Sequence, residues 1–182
     1  HEGNAWNYSF AVPHDIPGLI KLMGGKKNFV EKLQATFDKG YFDVTNEPDM
    51  LYPHIFSEIA GEEWRTQKLV SAILQEHFTN TPAGIPGNDD TGTMSTWASM
   101  NMMGIYPLCP GRPDYTVVTP VFDKVTIHLD PTYLQGAHQL VIRKQGKGAY
   151  IKRIKVDGKV NAGFKIGHEQ LVHSKEIVIE TK

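Results

Sequence analysis

The hydrophobic period of this chain changes once. Up to Pro107 the apolar residues recur at helical spacing, and beyond it they fall into short β-branched runs of alternating character. A chain that switches period in this way is neither a helical bundle throughout nor a set of strands throughout, so the expectation is a mixed α and β fold. In the first part the spacing predicts helices over Ile16–Met23, Lys26–Lys39, Met50–Ile59, Glu62–Phe78 and Met94–Met103. Gly24-Gly25, Gly40, Gly61 and Gly104 close them, and Pro17 suits a first turn. Trp64, Leu69, Ala72 and Ile73 are expected to face inward from the fourth helix. Short connections between such helices favour antiparallel neighbours. In the second part Tyr115–Val118, Val125–Leu129, Gln139–Ile142, Tyr150–Val156 and Glu176–Glu180 read as strands, with Asp157-Gly158 as a two-residue hairpin turn. The division expected is a helical portion over residues 1–112 and a small antiparallel sheet or sandwich unit over 113–182.

Charge follows the same division. Residues 1–91 carry 13 acids and 7 bases, and residues 92–182 carry 7 acids and 12 bases. The segment Arg143–Lys159 holds 7 Lys or Arg and one Asp. Alternation along strands makes this a solvated sheet face rather than a nucleic-acid surface. The single cysteine, Cys109, excludes an internal disulfide. No apolar run approaches the roughly 18 residues of a membrane span. No leader peptide is visible and the compartment is left open. The start at His1-Glu2-Gly3, without methionine, suggests a fragment.

Three acidic loops stand at the ends of helical segments: Glu2-Gly3-Asn4, Asn46-Glu47-Pro48 and Asn88-Asp89-Asp90. An isolated Asp-Asp pair before a helix is commonly just an N-cap. Three such loops together, with Trp6, Tyr8 and Phe10 beside the first, suit glycoside hydrolysis. That reaction needs one carboxylic acid to protonate the leaving oxygen and one carboxylate to activate water or attack the sugar. Other chemistries lack their parts: the sequence has no zinc ligand set, no glycine-rich phosphate loop and no nucleophile elbow. Asp89 and Asp90, near a helix N-terminus, are expected to stay ionised. Glu2, among aromatics, is expected to be desolvated into an acid. His14 and His54 read as structural or sugar-contacting.

Several stretches together resemble glycoside hydrolase family 92. They are Glu2-Gly3-Asn4-Ala5-Trp6-Asn7-Tyr8, Val12-Pro13-His14-Asp15, Leu22-Met23-Gly24-Gly25, Asn46-Glu47-Pro48, Gly87-Asn88-Asp89-Asp90 with Ser95-x-Trp97, and Gly104-Ile105-Tyr106-Pro107-Leu108-Cys109-Pro110-Gly111. The resemblance runs through nearly the whole chain in order. It implies the C-terminal part of an exo-acting, calcium-dependent, inverting α-mannosidase, often α-1,2-specific, acting on a mannose-containing oligosaccharide or glycoprotein glycan. It also implies part of an (α/α)6 barrel, completed by an N-terminal β-sandwich domain of the same protein, with no nucleic-acid or membrane partner. By motif, Glu2 resembles the general acid and Asp90 the general base, with Asp89 its competitor. Glu47, Asn46, Trp6 and His14 are implied as substrate contacts, and Asn88, Asp89 and Glu47 as calcium ligands. Thr91, Thr93 and Asp49-Met50 depart from the family pattern and bear on linkage preference. The rival reading is a carbohydrate-binding or packing fragment, inactive without its missing domain.

Overall fold

The structure is a computed structural model that describes residues 2–134 and 139–182. The α-helices among the described residues are α1 Ala5–Tyr8, α2 Ile16–Leu22, α3 Lys26–Asp38, α4 Tyr52–Ile55, α5 Glu63–His77, α6 Thr93–Met103 and α7 His168–His173. The strands are β1 Ile105–Tyr106, β2 Asp114–Val117, β3 Lys124–His128, β4 Gln139–Gln145, β5 Ile151–Val156, β6 Lys159–Val160, β7 Lys165–Gly167 and β8 Glu176–Thr181. Two compact units result, His1–Ala98 and Ser99–Lys182.

Local chemistry fixes the start of α2. Asp15 Oδ1 accepts the Gly18 N–H at 2.9 Å and caps α2, with Pro17 in the first turn where its missing N–H costs nothing. Phe29, Val30 and Leu33 form the buried stripe of α3. Phe10 lies edge-on to Phe29 and to Tyr52, with ring centroids 5.5 and 5.3 Å apart, and this aromatic trio is wholly buried.

Two helical expectations change. The single helix expected over Met50–Ile59 is broken into a 3₁₀ segment Glu47–Leu51, the four-residue α4, and a second 3₁₀ segment Phe56–Glu58. Pro48 and Pro53 supply no N–H, so no continuous ladder runs through the segment. Met50, Ile55, Phe56 and Ile59 are buried all the same. On α5 the buried stripe is Thr66, Gln67, Val70, Ile73 and Leu74, which leaves Trp64 off the stripe and 43% exposed, not inward. The Arg65 guanidinium lies over its ring at 4.5 Å, covering one face of an indole that tolerates water at its polar edge.

The second unit holds two sheets. One is the antiparallel set β1-β2-β7; the other has the order β3-β4-β8-β5-β6. The expectation of a purely antiparallel unit is corrected here, because β8 pairs parallel to β4 and antiparallel to β5. A parallel neighbour requires a crossover, and the chain makes it through β5 to β7 and α7 before β8 enters between β4 and β5. The Asp157-Gly158 turn joins β5 to β6, and both residues hold positive φ, 47° and 79°, as that turn demands. Leu140, Ile142, Ile154, Ile177 and Ile179 pack with Leu171 and Val172 of α7 as the core. Three members of the basic run are paired across strands: Arg153 and Lys155 reach Glu180 at 2.6 and 2.7 Å, and Arg143 reaches Glu176 at 2.8 Å.

The aromatic trio sets the stability of the first unit. Phe10→Ala empties a site with no exposed surface, and the expected loss is about 3–5 kcal/mol in denaturant unfolding; a loss under about 1 kcal/mol would mean that the site collapses without cost.

Candidate active site

Glu2, Asp43, Thr45, Asn46, Glu47, Asn88 and Asp90 line one open pocket of about 210 Å³, all within the first unit. The three acidic loops therefore meet. Each is seated there by contacts of residues other than the acids themselves.

The Glu2 loop is held by α1. Asn4 Oδ1 accepts the Trp6 N–H at 2.8 Å, and Asn7 Oδ1 accepts the Asn4 N–H at 2.9 Å, a reciprocal cap that fixes the turn after Glu2. Glu2 itself holds φ 64°, a left-handed backbone uncommon for a residue with a side chain. The Asn46-Glu47 loop leads into its 3₁₀ segment after an Asx turn, in which Asp43 Oδ1 accepts the Thr45 N–H at 2.9 Å and the Thr45 hydroxyl at 2.7 Å. The third loop is seated by Gly87. A Cβ at that position would lie 2.8 Å from Thr45 Cβ and 2.9 Å from Thr45 O, and its φ is 67°, so only glycine permits the approach. Behind the pocket, the buried Trp97 donates its Nε1–H to Met50 O at 2.9 Å and stacks on Phe78 at 5.5 Å, tying the start of α6 to the Glu47 segment.

The adjacent aspartates have different roles. Asp89 Oδ1 accepts the Ser95 N–H at 2.7 Å and Oδ2 accepts the Ser95 hydroxyl at 2.8 Å, so both of its oxygens face the first turn of α6. That is the capping reading, applied to one member of the pair. Asp90 and Thr91 take φ of 32° and 57°, and this left-handed step delivers the Asp90 side chain to the pocket.

Glu47 is pushed toward its protonated form. The largest influence on it, a hydrogen bond from its own backbone N–H, favours the charged form. Desolvation, a side-chain hydrogen bond with Asp90, and the charges of Asp90 and Glu2 together outweigh that bond and hold Glu47 above its ordinary value. Glu2, by contrast, is exposed, and the aromatic shell expected around it does not form. Phe10 turns into the core, Trp6 lies half-buried with its ring 4.8 Å from Tyr41, and Tyr8 is exposed. Trp6 and the exposed His14 do not line the pocket. His54 is fully buried, edge-on to Trp97 at 5.9 Å, and burial pushes it down to about 3, so it is a neutral core residue.

The pocket's charged and amide donors are carboxylates and the amides of Asn46 and Asn88, the oxygen chemistry a hard cation accepts. Asn46 is 7% exposed, and its side-chain nitrogen has no hydrogen-bond partner among the described residues. Among the described residues no three His, Cys, Asp or Glu side chains stand in a ready-made metal cluster. Sequence reasoning named Glu2, Asn46, Glu47, Asn88 and Asp90, and missed Asp43, Thr45 and the buried Asp49 behind them. The Asp43-x-Thr45 spacing of an Asx turn was the available signal.

Residues 1–182 match the family described as the glycosyl hydrolase family 92 catalytic domain. The chain belongs to glycoside hydrolase family 92. It is 32% identical over 170 residues to an uncharacterized secreted glycosidase of Arthroderma benhamiae, covering 93% of this chain and 22% of that protein. A family 92 α-mannosidase structure from Bacteroides thetaiotaomicron superposes with a TM-score of 0.86 at 25% identity, over 99% of this chain and 24% of that one. A family 92 inverting mannosidase from the same organism gives 0.84 at 25% identity, over 99% and 27%. The chain thus spans about a quarter of the length of these relatives.

Two predictions follow from this geometry. Gly87→Ala pushes the Asp90 loop off Thr45, and turnover of the full-length protein should fall about 10²-fold, as for an ångström-scale misplacement; unchanged kinetics would show that the close approach is not needed. Burial pushes Asp49 up to about 6 from an ordinary value of 3.8. The folded state therefore binds its proton more tightly than the unfolded state, so this contribution is complete below the unfolded value and is lost as pH rises through the folded one. Relative to Asp49→Asn, the unmodified protein should gain about 2 kcal/mol of unfolding free energy between about pH 8 and pH 4. Parallel stability curves would refute the shift.

Proposed function

We propose that this chain supplies the acid-bearing wall of the active site of an exo-acting, inverting α-mannosidase that trims mannose from glycans, with α-1,2 linkages its first preference. The observation that carries the reading is that Glu2, Glu47 and Asp90, from three separate loops, line one pocket. The names of the two Bacteroides relatives, α-mannosidase and inverting mannosidase, support the substrate and the stereochemistry. On this reading residues 1–112 are part of an (α/α)6 barrel, and the remaining walls come from the N-terminal β-sandwich domain and the rest of that barrel.

Hydrolysis with inversion needs two carboxyl groups on opposite sides of the scissile bond, about 6.5–9.5 Å apart, so that water fits beside the sugar. Glu2 gives its proton to the glycosidic oxygen as the bond to the anomeric carbon breaks. Asp90 takes a proton from the water that attacks that carbon from the opposite face. The choice of Asp90 over Asp89 rests on the two Ser95 hydrogen bonds that hold Asp89 at α6. Glu47 is hydrogen-bonded to Asp90, and as a cation ligand it would be ionised. A calcium ion, whose protein ligands would be Asn88 and Glu47, would help distort the sugar ring by binding its hydroxyls. Asn46 faces the same space and suits a sugar hydroxyl as acceptor for its unpartnered N–H.

The test is the full-length protein with a mannobiose. The first-formed sugar seen by NMR should be the β-anomer, and Asp90→Asn should lower turnover by roughly 10²–10⁴-fold. A first-formed α-anomer would exclude inversion, and near-normal turnover of Asp90→Asn would exclude its role as base. Chelation should abolish activity and added calcium restore it; activity indifferent to a chelator would remove the metal from the reading.

A further inference from the structure

Behind the pocket wall lies a carboxyl that touches none of its contents. Asp49 is fully buried, two residues past Glu47, and its Oδ2 accepts two N–H groups from different directions. The Asn7 side-chain nitrogen donates to it at 2.6 Å, and the Asp43 backbone N–H at 2.8 Å. Asn7 in turn donates to Tyr41 O at 3.1 Å, and its Oδ1 accepts the Asn4 N–H at 2.9 Å, in the turn that carries Glu2. Gly3 is packed against the same side chain: a Cβ there would lie 3.0 Å from Asn7 Cβ. Tyr52 reinforces the joint, with its hydroxyl donating to Trp6 O at 2.9 Å and accepting the Phe10 N–H at 3.3 Å.

We propose that Asp49 is a positioning residue: through Asn7 on one side and Asp43 on the other, it sets the distance between the proton donor Glu2 and the Asp43–Glu47 wall of the pocket. The inference rests on the reading of Glu2 as the acid. Glu2 and Glu47 are carried by separate loops that line one pocket, and a hydrogen-bonded brace between those loops fixes their spacing. A doubly engaged buried oxygen is such a brace, because losing it takes an acceptor from a buried side-chain N–H and from a part-buried backbone N–H. Truncating it moves Glu2 relative to the leaving oxygen, while the surroundings of the water and base on the other side change less.

This specifies which substrates suffer. A dinitrophenyl α-mannoside expels a leaving group that needs no proton, whereas a mannobiose does need one. In the full-length protein Asp49→Ala should cut kcat/KM on mannobiose roughly 10- to 100-fold, as for an ångström-scale displacement. It should cut kcat/KM on the dinitrophenyl substrate by no more than about 3-fold. Asn7→Ser removes the other arm of the brace and should show the same selective loss. Asp49→Asn keeps an oxygen for both N–H groups and should recover most of the mannobiose activity. A protein that merely folds poorly loses both substrates in equal proportion, and that result for Asp49→Ala and Asn7→Ser overturns the proposal. Unaltered activity in both variants overturns it equally. Glu2→Gln is the control: if it lacks the leaving-group selectivity, the acid assignment itself fails, whereas selectivity in Glu2→Gln without it in Asp49→Ala rejects the brace alone.

Discussion

Carboxylates that share a pocket repel one another, and the first unit is built around opposing that repulsion. Glu2, Glu47 and Asp90 line the same pocket with Asp43. Besides the hydrogen bond between Glu47 and Asp90, the contacts that bring their loops together are made by other residues. Gly87 lies against Thr45, Asn7 reaches Asp49, and Trp97 donates to Met50. Each is a packing or hydrogen-bond contact formed two to seven positions away from the acid it places. The charges of Asp90 and Glu2 contribute to the raised titration of Glu47.

Strain marks the same places. Among the described residues the non-glycine positions with positive φ are Glu2, Asp90, Thr91 and Asp157. Asp157 is explained by its hairpin turn. The other three belong to two of the acidic loops, where left-handed backbone turns a side chain away from the direction a regular helix entry would give it. Such conformations persist when the neighbourhood over-determines them. The reciprocal Asn4–Asn7 cap does this for Glu2, and the Asp89–Ser95 bonds do it for the step at Asp90.

The family 92 relatives named above are longer, and this chain matches about a quarter of each. The second unit carries none of the pocket residues. Its chemistry is that of a scaffold: aliphatic strands around Leu140 and Ile177, and a basic run whose partners are Glu176 and Glu180 on β8.

Much of this was legible from residues alone. Period, glycine stops and the Asp157-Gly158 turn locate α2, α3, α5, α6 and the longer strands, because these depend on neighbours within a turn or a pleat. The three acidic loops, and the family they suggest, could be read from short motifs for the same reason. What the sequence by itself left open depended on partners distant along the chain. Asp89 and Asp90 are indistinguishable as letters, and only the fold of α6 onto Asp89 separates them. Asp49 reads as a polar loop residue until Asn7, 42 positions away, is seen to donate to it. The parallel placement of β8 beside β4 is likewise a choice between strand edges of equal propensity, made by where a long crossover returns, and no local pattern encodes it.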